Sequence, residues 1–409
     1  MTLYAETAPP APPTSPLDGD RHVSVAIVGG GYTGLSAALH LAERGVDPIV
    51  LEAHEPGWAA SGRNGGQVNP GLKHDPDAVE ARFGADMVTF SGGAPDFVFD
   101  LIRRHQIVCE ALQSGTLRTA MNRRTLDGLH RTAEQWTRRG PDVSILDRDV
   151  VSGLTGTPRY LGAMLDKRGG QLNPLSFARG LAAAALRMGA AIHGGTRVIE
   201  MSKAGGRWRL RTAAGTVTAE RVILATNGYT DDLWSGLRRS IIPVYSAIVA
   251  SEPVPDDVMP SRSSLYEMGE ITVYYRKNRD NRLLMGGRSV QADVSDVKEL
   301  RYLIDYANQL WPMSRETRWT HAWSGQLAVT SDHYPHLHQP DETVLICLGY
   351  NGRGVAMATA MGAAMATKIM GEEIALPVTA IREIPFHGLW KSAVQARVLY
   401  GRIRDALGV

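Results

Sequence analysis

The sequence predicts an α/β (α+β) fold in which a Rossmann-like domain is interleaved with a mostly antiparallel β-sheet domain. Three stretches predict the first domain. Residues 23–53 read as strand, glycine turn, helix and strand, residues 57–71 form a second glycine-rich loop, and residues 343–370 repeat the order of strand, glycines and helix. Short β-branched and aromatic runs bounded by turn residues, as at 271–288, indicate the antiparallel sheet.

The first stretch, VSVAIVGGGYTGLSAALHLAERGVDPIVLEA, is a complete βαβ unit. Gly29 permits a tight turn, Gly31 lets a pyrophosphate approach the backbone, and Gly34 lets helix and strand pack closely. The following helix start offers free N–H groups and a positive dipole end to phosphates. Glu52 ends the second strand, where a carboxylate can bind a ribose diol. The predicted contacts of this dinucleotide site are Gly29, Gly31, Tyr32, Thr33, Gly34, Glu52 and Ala53.

The second stretch begins only five residues after Glu52 and reads GWAASGRNGGQVNPG. Its five glycines allow the backbone to lie close to something large and polar. A ribose-binding acid followed so soon by another ligand loop favours the extended FAD over NAD. This loop would run along the pyrophosphate towards the flavin ring. Its predicted contacts are Ser61, Gly62, Arg63, Asn64, Gly65, Gly66 and Gln67.

The remaining chain divides by residue pattern. Residues 76–140 are predicted to be mainly helical. Asn173 and Pro174 are predicted to begin a further helix, as its N-cap and its first residue. Residues 221–225 are predicted to form a parallel strand that ends beside the ligand. A hairpin is predicted at 271–276 and 283–288. The expected divisions are an extended N-terminal arm lying on the surface at 1–22, a discontinuous FAD-binding domain at 23–75, 145–230 and 322–375, a substrate domain at 76–144 and 231–321, and a C-terminal helix at 376–409.

Composition restricts the functional class. The 409 residues carry 44 basic and 42 acidic side chains, so no polyanion such as nucleic acid is expected as the main partner. Cys109 and Cys347 lie far apart, which fits a reducing compartment, and neither a secretory signal nor a membrane span is visible. We expect a cytoplasmic protein without a metal site. The basic amphipathic C-terminal helix is expected to pack on the protein's own flank, with a membrane-surface role as the alternative.

Five motifs in order resemble a known family: the N-terminal glycine turn with Glu52, SGRNGGQ, ILATNGYT, WSGQLAVTSD and GYNGRGVA. Together they resemble the D-amino-acid oxidase/glycine oxidase superfamily of FAD-dependent oxidoreductases over residues 23 to about 375. The SGRNGGQ loop and the N-terminal arm are most similar to the gamma-glutamylputrescine oxidase branch. L-pipecolate oxidase and D-amino-acid dehydrogenase are similar neighbours.

The resemblance implies further cofactor contacts and a noncovalent FAD. Backbone N–H groups before the last helix would stabilise the reduced flavin, and the implied contacts are Val198, Ala225, Asn227, Gly325, Gly352, Arg353, Gly354 and Val355. The family's covalent links need a histidine in the SGRNGG loop or a cysteine near Gly325, and neither is present. A flavin-facing lysine that monomeric sarcosine oxidase uses with oxygen is replaced by Leu-Leu-Met within 283–287, so oxygen and another electron acceptor both stay open.

The implied reaction is oxidation of a C–N bond. A neutral amine would lose hydride to flavin N5, and the resulting imine would hydrolyse. Tyr274, Tyr275 and Trp323 are the candidate pocket residues, although adjacent strand residues face opposite ways and only one tyrosine can line the pocket. Arg276 or Arg288 would hold a substrate carboxylate.

Several functions fit this reading. The first is oxidation of a gamma-glutamyl amine or a similar amine, and a pipecolate or D-amino-acid oxidoreductase is the alternative. A flavin-bearing electron-transfer subunit without its own substrate site is a hypothesis of another class. An NAD-dependent dehydrogenase leaves the later glycine clusters unexplained.

Overall fold

The computed structural model describes residues 1–269, 272–289 and 293–407, without the side chains of 402–407. Its helices are α1 (Leu3–Thr7), α2 (Tyr32–Ala42), α3 (Pro76–Phe83), α4 (Ala85–His105), α5 (Arg123–Thr137), α6 (Arg148–Thr155), α7 (Pro174–Arg187), α8 (Arg301–Leu310), α9 (Gly354–Ile369) and α10 (Trp390–Leu407). Its strands are β1 (Arg21–Val28), β2 (Pro48–Leu51), β3 (Gln67–Val68), β4 (Thr116–Ala120), β5 (Val143–Asp147), β6 (Gly162–Asp166), β7 (Gly170–Gln171), β8 (Ala191–His193), β9 (Glu200–Ala204), β10 (Arg207–Arg211), β11 (Thr216–Leu224), β12 (Ile242–Pro253), β13 (Ser264–Glu267), β14 (Val273–Lys277), β15 (Arg282–Ser289), β16 (Trp319–Val329), β17 (His336–Asp341) and β18 (Val344–Leu348).

The first sheet has the order β17-β18-β11-β1-β2-β8, with β10 and β9 added beyond β11. Strands β18, β11, β1, β2 and β8 run parallel to one another. Alternate residues of β1 are buried on opposite faces, because Val25 and Ile27 pack with α2, α7 and α9 while Ala26 and Val28 pack with β10 and β18. A strand covered on both faces must be apolar throughout, as this run is. The parallel strands therefore end at one edge, next to the N-termini of α2 and α9.

The second sheet has the order β16-β12-β15-β14-β13-β4-β6-β5, and most of its pairs are antiparallel. One face carries the apolar residues Leu117, Leu265, Tyr275 and Met285, which form a core with α8. The opposite face, with Tyr274, is turned towards the first sheet. The strands of the predicted hairpin are β14 and β15, and Ile271, the first residue of that prediction, lies outside the described residues.

Strand pairing differs from the sequence-based expectations at three places. Residues 116–120 form β4 inside the stretch that was predicted to be mainly helical, because pairing with β13 and β6 outweighs the local pattern. Residues 145–230 were predicted to belong to the FAD-binding domain. Strand β5 overlaps the start of this stretch and β6 lies inside it, yet both pair in the second sheet and not in the first. Strand β16, expected mostly in the nucleotide domain, pairs with β12. The division into domains otherwise remains a prediction.

The N-terminal arm does more than lie on the surface. It begins with α1, and Leu3 and Tyr4 are buried in a cluster with Leu175, Ile248 and Trp323. Leu17 is buried against the first sheet. The expectation of a surface tail was therefore wrong, since prolines prevent regular structure after α1 without preventing burial of the apolar side chains beside them.

The C-terminal helix α10 is only partly buried. Leu399 is 62% exposed, whereas Trp390, Val394 and Val398 of the predicted apolar face are half-buried. The expected packing of this helix on the protein's flank remains a prediction. Within the described residues, no helix combines the length and apolar character needed to cross a membrane.

Gly34 is the glycine that the βαβ unit depends on most directly. A Cβ at this position would overlap the carbonyl oxygen of Gly29 and approach Ile27 Cγ2 to 3.1 Å. We expect Gly34→Ala to destabilise the fold by about 3 kcal/mol or more, because backbone atoms cannot move aside as a flexible side chain can. Urea unfolding followed by circular dichroism measures this change.

Gly93→Ala in α4 is the matched control. A Cβ there meets no atom within 4 Å. Replacing glycine in a helix should stabilise the protein by about 0.5–1 kcal/mol, because it removes conformational freedom from the unfolded chain. Equal stability changes in the two variants would contradict the assigned role of Gly34.

Candidate active site

A cavity lies between the two sheets, at the carboxyl edge of the first, and together with the solvent-open space at its mouth it spans about 970 Å³. Segments distant in sequence line it. The lining residues are Gly31, Tyr32, Thr33, Ala60, Ser61, Arg63, Asn64, Gly65, Gln67, Asn69, Ala225, Asn227, Ser246, Tyr274, Gly325, Leu327, Ala328, Tyr350, Asn351, Gly352, Gly354, Val355 and Ala358.

The first wall is the glycine turn before α2. Gly29 adopts a φ of 109°, which favours glycine, and Gly31 is the N-cap of α2 and lacks a side chain that could cap the helix. Ser61 Oγ instead accepts a hydrogen bond from the Tyr32 N–H at 3.0 Å. Behind the turn, buried Glu52 accepts hydrogen bonds from the N–H groups of Gly30 at 2.6 Å and His54 at 2.9 Å. Its carboxylate thus stabilises the turn and retains lone pairs for a ribose hydroxyl.

The second wall is the predicted flavin loop. Asn64 organises it, because its side-chain amide donates to the Ser61 carbonyl at 2.9 Å and its Oδ1 accepts from the Gly66 N–H at 2.8 Å. Gln67 ties the loop to the second sheet by donating to the Leu265 carbonyl at 2.8 Å. The loop is therefore attached to both sheets at once.

Arg276 clamps this loop from the second sheet. Its Nε donates to the Gly65 carbonyl at 2.6 Å, its Nη1 to Gln171 Oε1 at 3.0 Å and its Nη2 to the Tyr4 hydroxyl at 3.3 Å. All three nitrogen atoms are engaged, and the side chain is buried. Arg276 therefore holds the flavin loop in place, and its expected contact with a substrate carboxylate remains a prediction.

The third wall precedes α9. The Gly349 N–H donates to Asn227 Oδ1 at 3.0 Å, and the Tyr350 hydroxyl bonds Thr33 Oγ1 at 2.7 Å, which joins this turn to α2. Gly352, with a φ of 88°, has no atom within 4 Å of where a Cβ would lie. The Arg353 N–H, predicted to face the flavin, instead donates to the Tyr350 carbonyl at 2.9 Å. The turn therefore closes on itself, which removes Arg353 as a backbone donor to the cavity.

The second sheet supplies the facing wall through Tyr274. Its hydroxyl lies 2.8 Å from Ser246 Oγ, and a Cβ on Gly65 would lie 2.6 Å from its ring. Burial raises the pKa of Tyr274 above its usual range, partly offset by the Ser246 hydrogen bond. Tyr274 is thus a neutral phenol at physiological pH.

Tyr275 and Trp323, the other two candidate pocket residues, do not line the cavity, and the alternation of the strand had left room for only one of the two tyrosines. Tyr275 projects from the opposite face, where its hydroxyl bonds that of Tyr160 and its ring packs edge-on against Trp311. Trp323 is covered by Tyr4, with ring centroids 5.1 Å apart, and its Nε1 donates to the Arg63 carbonyl at 2.9 Å. It supports the flavin loop from behind.

Arg288 lies beside the cavity wall without lining it. It is paired with Ser246 across β12 and β15, so the two side chains share a face of the sheet. Burial and the charge of Arg397 lower the pKa of its guanidinium. Its proposed contact with a substrate carboxylate remains a prediction.

The predicted contacts for the adenosine end lie away from this cavity. Glu52 stands behind the turn, Ala53 is exposed, and Val198 is packed in the core of the first sheet. Eight predicted cofactor residues do not line the cavity: Gly29, Gly34, Glu52, Ala53, Gly62, Gly66, Val198 and Arg353. Apart from the Arg353 N–H, which is already bonded within its own turn, their roles in binding remain predictions.

Several lining residues went unpredicted. Ser246 lies within β12, a 12-residue strand for which no separate pattern was recognised. Asn69 lies two residues beyond the predicted contacts of the flavin loop, and its Oδ1 accepts from Thr116 Oγ1 at 3.2 Å. The one signal for Asn69 in the sequence was its position as a polar residue directly after a predicted ligand loop. No local pattern distinguishes Ser246.

The donors around the cavity fit FAD. The N-termini of α2 and α9 both border it, and neither N-cap residue makes a side-chain capping bond. One helix end would hold the pyrophosphate, and the other would stabilise negative charge on the flavin carbonyl region. Between the N-termini of α2 and α9, the cavity is bordered by glycines and neutral side-chain amides, which leave room for a flat polar ring.

Comparison with known proteins identifies the family. The model of the FAD dependent oxidoreductase family (DAO) matches residues 24–368. The chain belongs to this FAD-dependent oxidoreductase family. It is 32% identical over 431 aligned residues to the gamma-glutamylputrescine oxidoreductase of Escherichia coli (strain K12), covering 100% of this chain and 99% of that protein. It is 25% identical to the glycine oxidase of Geobacillus kaustophilus (strain HTA426), covering 86% and 94%.

Solved structures agree in fold. The crystal structure of glycine oxidase from Geobacillus kaustophilus has a TM-score of 0.77 at 22% identity, covering 89% of this chain and 99% of that one. That of L-proline dehydrogenase from P. horikoshii has a TM-score of 0.74 at 18% identity, covering 88% and 96%. The predicted fold class, the FAD cofactor and the assignment as an oxidoreductase enzyme are thereby confirmed.

Arg276 offers a direct test of the loop clamp. Arg276→Met keeps the aliphatic stem and leaves the Gly65 carbonyl and Gln171 without their donor. We expect FAD to bind about tenfold more weakly, because an unpaired buried polar group costs about 1–3 kcal/mol. Fluorescence titration of the apoprotein with FAD measures the dissociation constant.

Arg279→Met on the same hairpin is the control for that measurement. Arg279 is exposed and lies near Glu110 and Asp280. FAD affinity should stay unchanged, since exposed ion pairs contribute little. Equal affinities for Arg276→Met and the unmodified protein would refute the clamp.

Proposed function

We propose that the protein oxidises a C–N bond of a gamma-glutamyl amine or a closely similar amine, with hydride transfer from the α-carbon to noncovalently bound FAD. The single observation that carries this proposal is the cavity in which the glycine turn, the flavin loop and the α9 turn meet Tyr274 of the second sheet. The full-length similarity to a gamma-glutamylputrescine oxidoreductase supports the choice of substrate class.

The cofactor and the protein would divide the work. Bound FAD supplies the two-electron acceptor for the hydride. Tyr274, kept neutral by burial, can position an amine through its hydroxyl but cannot serve as a base near neutral pH. The amine would therefore react as the free base. Ser246 fixes the tyrosine hydroxyl at 2.8 Å.

Noncovalent attachment is supported by the lining residues. Within the described part of the chain, no histidine or cysteine is among them. Burial raises the pKa of Cys347 to about 12, so this thiol in β18 stays protonated and unreactive. Cys109 and Cys347 are both buried and unpaired, which supports a cytoplasmic location as part of the same proposal.

Anaerobic reduction of the flavin tests the proposal. The purified yellow protein is mixed with gamma-glutamyl amines, cyclic secondary amino acids and D-amino acids, and the visible absorbance is followed. Bleaching by gamma-glutamyl amines at the highest kcat/KM is expected. Preference for either amino-acid class would favour a pipecolate-type or D-amino-acid enzyme, and no bleaching by any amine would favour an electron-transfer subunit.

The electron acceptor is a second part of this experiment. The described cavity wall contains no lysine, and β15 contributes Leu284 to the cluster around Tyr4 and Trp323. We expect the reduced enzyme to reoxidise faster with a quinone than with oxygen. Stopped-flow reoxidation with each acceptor gives the two rates, and faster reaction with oxygen would instead establish an oxidase.

Tyr274→Phe and Tyr275→Phe form a matched pair for the substrate pocket. The first should lower kcat/KM about tenfold, since one hydrogen bond of about 1 kcal/mol or slightly more is lost in the cavity. The second should lower the melting temperature and leave kcat/KM unchanged, because Tyr275 lies in the core. Both pH profiles should keep the rise due to deprotonation of the substrate amine. Loss of a pH-dependent limb in Tyr274→Phe that the unmodified protein shows would indicate that the phenol acts as an acid or base.

A further inference from the structure

We propose that the outer side of α10, together with the turn before it, binds the surface of an anionic lipid bilayer. This inference goes beyond the proposed function and does not depend on which amine is oxidised. The exposed apolar residues of this region are called the outer apolar face. They are Phe386, Leu389, Ala393, Ala396, Leu399 and Tyr400.

Helix α10 has apolar residues on two different sides. Val394 and Val398 are half-buried and form part of the side that lies towards the protein. Ala393, Ala396 and Tyr400 are exposed and follow one another at intervals of three and four residues. At 100° per residue, such positions form one stripe, which lies on a different side of the helix from Val394 and Val398. Packing on the protein's own flank would therefore use only the inner side and leave the outer apolar face for a partner.

The turn before α10 exposes the largest apolar side chains of this face. Phe386 is 85% exposed, and its φ of 55° is a left-handed conformation that is rare for an aromatic residue. Leu389 is 65% exposed. The turn has a fixed base, because His387 Nε2 lies 2.8 Å from the Ile241 carbonyl oxygen next to β12. Backbone strain that presents an aromatic ring to the outside is typical of a binding site.

Two basic side chains lie among these apolar residues. Lys391 Nζ is 5.8 Å from the centre of the Trp390 ring, and the Arg397 guanidinium carbon is 5.7 Å from the centre of the Tyr400 ring. Residues 385–401 contain no aspartate or glutamate. Aromatic and aliphatic side chains combined with basic ones are the composition that binds the headgroup region of an anionic bilayer.

A second copy of this chain and an acidic protein are the competing partners. In a twofold dimer the outer apolar face would meet itself, so Lys391 and Arg397 would approach the same two cations of the second copy. An acidic protein would need a surface shaped to receive the projecting Phe386. Acyl chains adapt to any shape, and anionic headgroups compensate both positive charges. A bilayer is accordingly the best match.

The outer apolar face also lies near the mouth of the cavity. Burial and the charge of Arg397 lower the pKa of the Arg288 guanidinium, so α10 is within electrostatic reach of that side chain. Arg288 in turn is paired with cavity-lining Ser246 across β12 and β15. Binding through α10 would hold the cavity close to the lipid surface, where a lipid-soluble quinone is concentrated.

Cosedimentation with vesicles tests the proposal. The FAD-loaded protein is mixed with vesicles of phosphatidylcholine alone or of phosphatidylcholine with phosphatidylglycerol, and the bound fraction is measured. Binding to the anionic vesicles is expected. The double variant Phe386→Asn and Leu389→Gln should raise the dissociation constant at least tenfold, because exposed apolar area no longer leaves water. Asparagine tolerates the left-handed backbone at 386.

Exposed apolar and basic residues elsewhere provide the controls. Val108→Asn removes a side chain that is 72% exposed and should bind vesicles like the unmodified protein. Lys391→Gln and Arg397→Gln should each raise the dissociation constant about fivefold and reduce its dependence on salt. Arg123→Gln removes an exposed cation from α5 and should change neither quantity.

A spectroscopic readout separates insertion into lipid from simple attraction of charge. Phe386→Trp places an indole at the tip of the turn, and its emission is the difference from that of the unmodified protein. With anionic vesicles this emission should shift to shorter wavelength and be quenched by lipids brominated on the acyl chains. An unchanged emission would show that the outer apolar face does not enter the bilayer and would overturn the proposal.

Three further outcomes would also overturn it. They are failure to bind either kind of vesicle, equal binding by the double variant and the unmodified protein, and self-association that the double variant abolishes, which would assign the face to a second copy. Sedimentation equilibrium measures self-association. Bound-flavin absorbance and the melting temperature show whether each variant is folded. None of these measurements needs a substrate, so failure of every amine to bleach the flavin would count against the proposed function alone.

Discussion

The hydrogen bond from Arg276 to the Gly65 carbonyl joins the two halves of the molecule at the place where the cofactor would lie. The loop carrying Gly65 begins in the first domain, and Arg276 belongs to the second sheet. Tyr4 and Gln171 hold the remaining guanidinium nitrogens. A charged donor fixes a carbonyl more firmly than a neutral one does. The cavity thus depends on one buried cation whose partners come from three distant parts of the chain.

The alternation of side chains along β14 sorts the second sheet into two environments. Tyr274 and Arg276 face the first domain, whereas Tyr275 and Lys277 face the other way, so neighbours in sequence have unrelated roles. The hydroxyl groups of Tyr160 and Tyr275 form a hydrogen bond with each other inside the core. The Tyr274 hydroxyl instead forms a hydrogen bond with Ser246 Oγ at the cavity wall. A shift of one residue in strand register would exchange these environments. Strand pairing therefore determines which chemical groups reach the cavity.

Local patterns were sufficient for the nucleotide end of the molecule. The βαβ unit has its glycine turn and acid at the predicted positions, and Asn173 caps α7 by accepting the Ser176 N–H at 3.2 Å. These features arise from residues close in sequence. Strand β4, the burial of Tyr4 and the position of Ser246 depend on partners that are distant in sequence, and no local period encodes them. The alternation rule predicted that one tyrosine of 274–275 would line the pocket, but choosing between them required the register.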